Sequence, residues 1–390
     1  MPFAAVPDYL GRDYSTAAPG HRFYLYFEAW EKDGTGKLVK IRDKTAGVKK
    51  SLSLNVNDRN AIAALAARQR LMASERVWQL PAQTVAPLTT GLGMEHPLEN
   101  GFAFLNPYGL PYLAGSGIKG VLRQAARELR DDDPGAGWDD VSIDAMFGPD
   151  TGDEARRGAL IFWDAYPIVA QSLMAEVMTP HQTHYYRDRQ APHDSGQPNP
   201  ILFLAIPPKT PLTFYVDCNH RLLPDALRDN DAWQTLLRTA FEYAFDWLGF
   251  GAKTAVGYGH VEIDTGELER QEEKQREQQA EHATQERIQQ ATHNLPADAS
   301  WLEERIQRGA WPDNAAFLDD MAHWLDNAEL DALSPEAWQR IETEMAGRYD
   351  QNLLVDPDAT KGKKNKPKYK DRPKTLAKRL IELKPEGNPS

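Results

Sequence analysis

Gly249-Phe250-Gly251-Ala252-Lys253-Thr254-Ala255-Val256-Gly257-Tyr258-Gly259 is the stretch on which the reading of this chain turns. Two Gly-aromatic-Gly triplets stand five residues apart, a pattern that asks for backbone conformations and close approaches that side chains forbid. Upstream, Leu236, Leu237, Ala240, Phe241, Ala244, Phe245 and Leu248 repeat at helical spacing, with Asp231 as the expected cap. Downstream, His260-Val261-Glu262-Ile263 reads as a strand. The order is helix, glycine loop, strand. A Walker phosphate loop runs from strand to helix, and Ala252 stands where it requires a glycine before Lys-Thr, so the segment argues against a nucleotide hydrolase.

A second glycine cluster, Gly115-Ser116-Gly117-Ile118-Lys119-Gly120, fits the dinucleotide fingerprint G-x-G-x-x-G literally. Its context does not fit. Pro107, Gly109 and Pro111 interrupt the approach where a buried parallel strand is required, and the acidic stretch 131–140 follows where a second strand should end. What survives is a glycine-rich turn opening a helix over about Val121 to Arg130. Free amides and the dipole at that opening attract an anion, and Lys119 and Arg123 flank it. The plain alternative is a tight turn with a solvated lysine.

Outward from these two motifs, residues 21–30 (HRFYLYFEAW) alternate and predict a strand, and Asp58 to Glu75 predicts a helix. Pro81 to Gly101 reads as loop. Gly158 to Val169 and Ile201 to Cys218 carry strand composition, separated by a polar loop, Thr179 to Pro200. Beyond Gly266 the chain becomes Glu- and Gln-rich without an apolar stripe, predicting a charged helical linker over 267–294. Residues 295–350 regain apolar spacing and predict a small all-α module; 351–390 reads as a basic, partly disordered tail ending in a short helix.

Composition narrows the function classes. The single Cys218 rules out an internal disulfide and any cysteine-rich metal site, and it fits a reducing cytoplasm. No apolar run approaches the roughly 20 residues of a membrane span. Net charge is −12 and the pI is near 5.4, which argues against wrapping nucleic acid by bulk charge. Residues 361–379 hold ten Lys or Arg against Asp371, so any other contact with an anionic polymer must be local. That basic stretch reads either as a nucleic-acid arm or as a solubilising terminus.

The two-triplet glycine loop after an amphipathic helix resembles the loop that defines the RAMP superfamily of CRISPR proteins. The block Thr90 to Arg123 resembles the one preceding the first helix in subunits of type III effector complexes, and Met178 to Phe203 followed by the glycine loop is most similar to the filament-capping Cmr-type (III-B) subunits, the sixth in that series. The resemblance spans roughly residues 85–265. It implies an α+β fold, with an RRM-like (ferredoxin-like) RAMP core over residues 1–266 carrying insertions, and a C-terminal helical extension. It also implies a non-catalytic RNA-binding backbone subunit that holds the 3′ region of guide RNA and supports target RNA binding among other RAMP subunits in antiviral defence, without cofactor or metal. By that analogy the RNA-binding residues are Gly115, Ser116, Gly117, Lys119, Arg123, Gly249, Gly251, Lys253, Thr254, Gly257, Tyr258 and Gly259, with bare main-chain amides of the two turns forming one cradle for a ribose-phosphate strand.

The alternative lies in the 179–200 loop. His181, His184 and His193 stand there beside Tyr, Arg and Asp residues, a set able to run metal-independent RNA cleavage or to ligate a metal. A RAMP endoribonuclease that processes guide precursor, with His181 or His184 as general base, is therefore the second reading, and a protein–protein adaptor without RNA contact the third.

Overall fold

The alternation at residues 21–30 does not become a strand. Pro19 presets the backbone at the first position of helix α1 (Pro19–Tyr24), and the Gly20 amide donates to Gly109 O at 2.8 Å. A β-carbon on Gly20 would lie 2.6 Å from the Phe104 ring. Phe23, in the helix, and Phe27, just past its end, are buried together with ring centres 6.0 Å apart, so the alternating spacing is overridden by tertiary contact. A hairpin follows, β1 (Trp30–Lys32) with β2 (Leu38–Lys40), and then α2 (Thr45–Leu52) and α3 (Val56–Met72). Asn55 and Asp58 form a reciprocal capping box that starts α3. The computed structural model describes residues 2–41, 43–73, 77–98, 100–149, 156–179, 185, 189, 191, 200–328, 330–361 and 366–385.

Next come β3 (Trp78–Thr84), α4 (Gly115–Asp132), α5 (Asp140–Phe147), β4 (Leu160–Phe162), the hairpin β5 (Met174–Met178) and β6 (Ile201–Ala205), β7 (Pro211–Cys218), α6 (Ala232–Tyr243) and β8 (Val261–Ile263). The central sheet has the order β8-β3-β7-β4, antiparallel throughout. Stripped of its insertions this is β-α-β-β-α-β with the first and third strands in the middle. Leu80, Ala82, Leu212, Phe214 and Val216 share one sheet face and bury against Ile118, Leu122 and Ala125 of α4 and Leu237 and Phe241 of α6. The opposite face is only partly open. Tyr215 is buried there, stacked on Trp163 at 5.6 Å between ring centres, and α3 reaches it through Gln69, whose amide donates to Asp164 O at 2.7 Å.

Three expectations change here. Residues 81–84 belong to the central strand β3 instead of a loop. Pro81 is tolerated because its missing N–H faces the β8 edge one position past the last paired residue, Ile263, where its own carbonyl accepts from Asp264 N at 3.0 Å. Gly115 to Gly120 form the first turns of α4 and not a loop before it. Asp231 makes no side-chain cap, since its backbone is left-handed at φ 53°.

The first unit of the chain ends at Glu269 and the second begins at Arg270. Helix α7 (Thr265–Thr292) is polar, with Ile288 its buried residue. In the second unit α8 (Ala297–Gln307), α9 (Asn314–Asn327), α10 (Pro335–Arg348) and α11 (Asp371–Glu382) enclose a core of their own around Leu302, Phe317, Met321 and Trp338. The short helix expected at the end of the basic stretch is α11, and its Leu376, Ala377 and Leu380 are buried in that core, while residues 362–365 lie outside the described residues. Several of the cations there meet acids of the same unit, Lys368 with Asp350 at 2.7 Å, Lys378 with Asp358 at 2.7 Å, Arg379 with Asp326 at 2.8 Å, and Arg372 with Asp319. Exposed pairs of this kind each contribute little stability, about 0–1 kcal/mol, and they draw part of the basic charge onto the unit's own acids. Leu380→Ala should therefore cost the helical unit about 2–5 kcal/mol in urea unfolding, and removing 371–385 should unfold that unit.

His96 supplies a second test. Its ring stacks on Phe23 at 3.7 Å between ring centres, Nε2 lies 2.7 Å from Phe23 O, and Nδ1 accepts from Leu98 N at 3.0 Å. An accepting Nδ1 makes this the neutral tautomer with the proton on Nε2. Burial pushes its pKa down to about 4. Because the folded value lies below the unfolded one, the stabilisation is complete above about pH 6.5 and is lost as pH falls toward 4. Between pH 7 and 5 the first unit should lose about 2 kcal/mol from this ring, and His96→Phe should flatten the stability slope across that window whatever its absolute stability.

Candidate nucleic-acid interface

Helix α6 widens into a π-helical turn over Ala244–Leu248 and stops where Gly249 N donates to Ala244 O at 2.8 Å. The loop then folds on itself. Phe250 N donates to Gly259 O at 2.9 Å, and the segment 87–90 docks beside it, with Gly259 N donating to Pro87 O and Ala252 N to Thr89 O, both at 2.8 Å. Phe250, fully buried, packs on Phe214 and Phe245. A β-carbon on Gly259 would lie 1.9 Å from Phe250 O, and one on Gly251 2.3 Å from Thr89 O. These glycines exist for backbone-on-backbone contact. Gly257 differs, because its surroundings are open and only its φ of 92° requires glycine.

The expected amide cradle is therefore largely spoken for from within. The amides of Gly249, Phe250, Ala252, Gly257 and Gly259 all donate inside the protein. At the other turn Gly115 N donates to the Asp164 carboxylate at 2.8 Å, so the start of α4 already holds an anion, its own. Gly115 is also a contact residue, since a β-carbon there would meet Phe162 O at 2.3 Å, whereas Gly117 faces open space. Ser116 and Gly117 are exposed.

The structure does bring the two turns to one end of the sheet, where β3 finishes. Thr89 Oγ1 donates to Leu204 O at 2.8 Å, Thr90 Oγ1 to Tyr112 O at 3.4 Å, and Leu113 pairs with Ala165 just before α4 begins. The segment 87–90 thus ties the glycine loop, the end of β6 and the approach to α4 together. Side chains, more than amides, supply the chemistry at this end. Lys119 and Arg123 lie one turn apart on a half-buried flank of α4, and Arg157 is near. Burial, followed by the like charges of Arg123 and Arg157, holds the Lys119 amine below its ordinary basicity. A gathering of cations on an acidic chain suits a polyanion.

Lys253, at φ 64°, sets its ammonium 5.5 Å from the centre of the Phe203 ring. Tyr258 packs on the same ring at 5.6 Å and donates its hydroxyl to Glu176 at 3.0 Å. The glycine loop is thereby fastened to the β5–β6 hairpin, and Tyr258 is half-buried, not a free stacking platform. Thr254 O accepts from Gly257 N at 2.9 Å, closing the 3-10 turn. His181, His184 and His193 lie outside the described residues. Among the described residues no cluster of ligands for a metal ion is found, and no helix is long and apolar enough to cross a membrane. Sequence reasoning missed Asp164, Arg157, Phe203 and Glu176, whose parts depend on strand register and crossover. Only Asp164, in Phe162-Trp163-Asp164 after a strand, offered a local signal.

Residues 82–262 match the RAMP superfamily. The chain is built around a RAMP domain. Both turns, the cationic flank of α4 and the β5–β6 hairpin lie inside it. The chain is also similar to the CRISPR system Cmr subunit Cmr6 of Pyrococcus furiosus, 28% identical over 233 residues that cover 46% of this chain and 66% of that protein. Among solved structures it is similar to a chain of the type III-B Cmr-beta complex bound to cognate target RNA, with 19% identity, 58% of this chain and 76% of that chain covered, and a TM-score of 0.40. The crystal structure of Cmr6 from Pyrococcus furiosus is 25% identical, covering 49% of this chain and 100% of that one at a TM-score of 0.27. The assignment of the domain rests on the sequence matches.

The glycines of this RAMP domain divide by the contacts above. Gly259→Ala should destabilise the first unit by more than about 3 kcal/mol, through a forced backbone shift, and Gly257→Ala by about 1 kcal/mol, through φ alone. Gly117→Ala, in an open helical position, should be neutral or stabilise by up to about 1 kcal/mol. Thermal or urea unfolding of the three variants reads the order directly.

Proposed function

We propose that this chain is a non-catalytic RNA-binding backbone subunit of a type III-B CRISPR ribonucleoprotein, a filament-capping RAMP like Cmr6. In this reading it acts in the cytoplasm, holds the 3′ region of the guide RNA and supports target RNA binding beside other RAMP subunits. The observation that carries the reading is the RAMP match over 82–262, which encloses the glycine loop and the Lys119–Arg123 flank. The β-α-β-β-α-β order supports an RRM-like core. With the sheet face partly covered by α3 and the loop amides satisfied internally, RNA contact is assigned to side chains at the end of the sheet: Lys119, Arg123, Arg157 and Lys253 on phosphates.

The test is binding of CRISPR-repeat RNA to the purified chain, alone and with partner RAMP subunits, across a salt series. Lys119→Ala and Arg123→Ala should each weaken binding at all sequences and reduce the salt slope by about 1. The RNA should remain intact without metal. Cleavage that disappears in His181→Ala or His184→Ala would establish the endoribonuclease instead, and association with partner subunits that is salt-insensitive and leaves no RNA footprint would establish an adaptor.

A further inference from the structure

A cavity of about 300 Å³ opens in the N-terminal part of the first unit, between α1, α2 and the segment 12–15, outside residues 82–262. Its walls combine two chemistries. Tyr14 and Tyr26 stack face to face, 4.4 Å between ring centres and 7° from parallel. Beside them stand Arg12, Arg22 and Lys50 against the carboxylates Asp13 and Glu28. Lys50 is held by Glu28 at 2.7 Å, and Asp13 is occupied by Ser15 N at 3.0 Å.

Arg22 is the unusual member. It is 7% exposed, and its Nη atoms donate to Lys50 O, Ser53 Oγ and Ser53 O. Its Nε is buried and has no hydrogen-bond partner among the described residues. Asp58, buried near it, is engaged by Asn55 N at 2.8 Å and does not take that donor. Lys50 is matched by Glu28 and Arg22 stands near Asp58, so the exposed Arg12 is the cation placed to meet a phosphate monoanion or phosphodiester. The volume lies at the small end of ligand sites, enough for one nucleotide and too little for a duplex.

We propose that this cavity binds a single nucleotide, its base stacked on the Tyr14–Tyr26 pair and its phosphate held by Arg12 at the mouth. The site is independent of the RAMP interface, and its ligand has two sources, a free nucleotide or one nucleotide of an RNA strand.

The full-length chain is titrated with adenosine and uridine monophosphates, with inorganic phosphate, and with a short single-stranded RNA carrying a photoreactive uridine. The monophosphates should bind, and inorganic phosphate should bind about 10-fold more weakly or worse. Tyr14→Ala and Arg12→Ala, both at the cavity mouth, should each weaken the monophosphates by about 10-fold without shifting the melting temperature. Mononucleotide that blocks an RNA crosslink to residues 12–26 identifies a strand nucleotide as the occupant, and unaltered RNA binding at saturating mononucleotide identifies a free one. Lys119→Ala should leave the mononucleotide titration unchanged, which separates this site from the RAMP interface. Absence of both monophosphate binding and crosslinks to 12–26, or binding that neither Tyr14→Ala nor Arg12→Ala alters, overturns the proposal.

Discussion

The architecture of the first unit hangs on a contact without side chains. Gly251 and Gly259 let the loop 249–259 lie backbone against backbone with Pro87 and Thr89, where two hydrogen bonds of 2.8 Å lock it and a third, of 2.9 Å from Phe250 N to Gly259 O, closes the loop on itself. Because segment 87–90 also binds the end of β6 and the approach to α4, that contact joins the crossover after the first core strand to the start of the last. Phe250 anchors it from beneath among Phe214, Phe241 and Phe245. The loop is rigid for a physical reason, since its amides are consumed internally, and what it offers outward is a fixed placement for Lys253 and Tyr258.

In the proposed function, that rigidity assigns recognition to side chains in place of the main chain. A helix start capped by Asp164 and a loop with satisfied amides have little to give a phosphate, whereas Lys119, Arg123 and Arg157 concentrate charge on one flank. Elsewhere the chain spends its cations differently. The basic run near the C-terminus, the most conspicuous charge feature of the sequence, is a clasp that binds α11 to the acidic surfaces of its own helical unit. Overall charge and even local charge runs are thus poor guides to where an anionic ligand is met, because a cation answered by a nearby carboxylate exerts no field at a distance.

Much of this was legible in the sequence. The 231–248 helix, the glycine loop and the strand after it carry strong local signals, and α3 was placed within a few residues of its observed span. The misses share a cause. Pro81 reads as a strand breaker, and only the end of β8 opposite it makes the strand possible. The alternation of Phe23, Leu25 and Phe27 reads as a strand, and Pro19 with the Gly20–Gly109 contact makes 19–24 a helix instead. Gly115 and Gly117 look alike in sequence, yet one is pressed on Phe162 O and the other faces open space. The short helix expected near the C-terminus is present as α11, where Leu376, Ala377 and Leu380 fall on one face, while its ion pairs with distant acids had no local signal. In each case the deciding partner lies far away in the chain.

The most direct test of the central claim is photo-crosslinking with mass spectrometry on the complex assembled with guide RNA and partner subunits. Crosslinked peptides should come from the α4 flank around Lys119 to Arg127 and from the loop side chains at Lys253 to Tyr258, close together at one end of the sheet. A complex that retains its RNA and yields no crosslink to either segment would contradict the account.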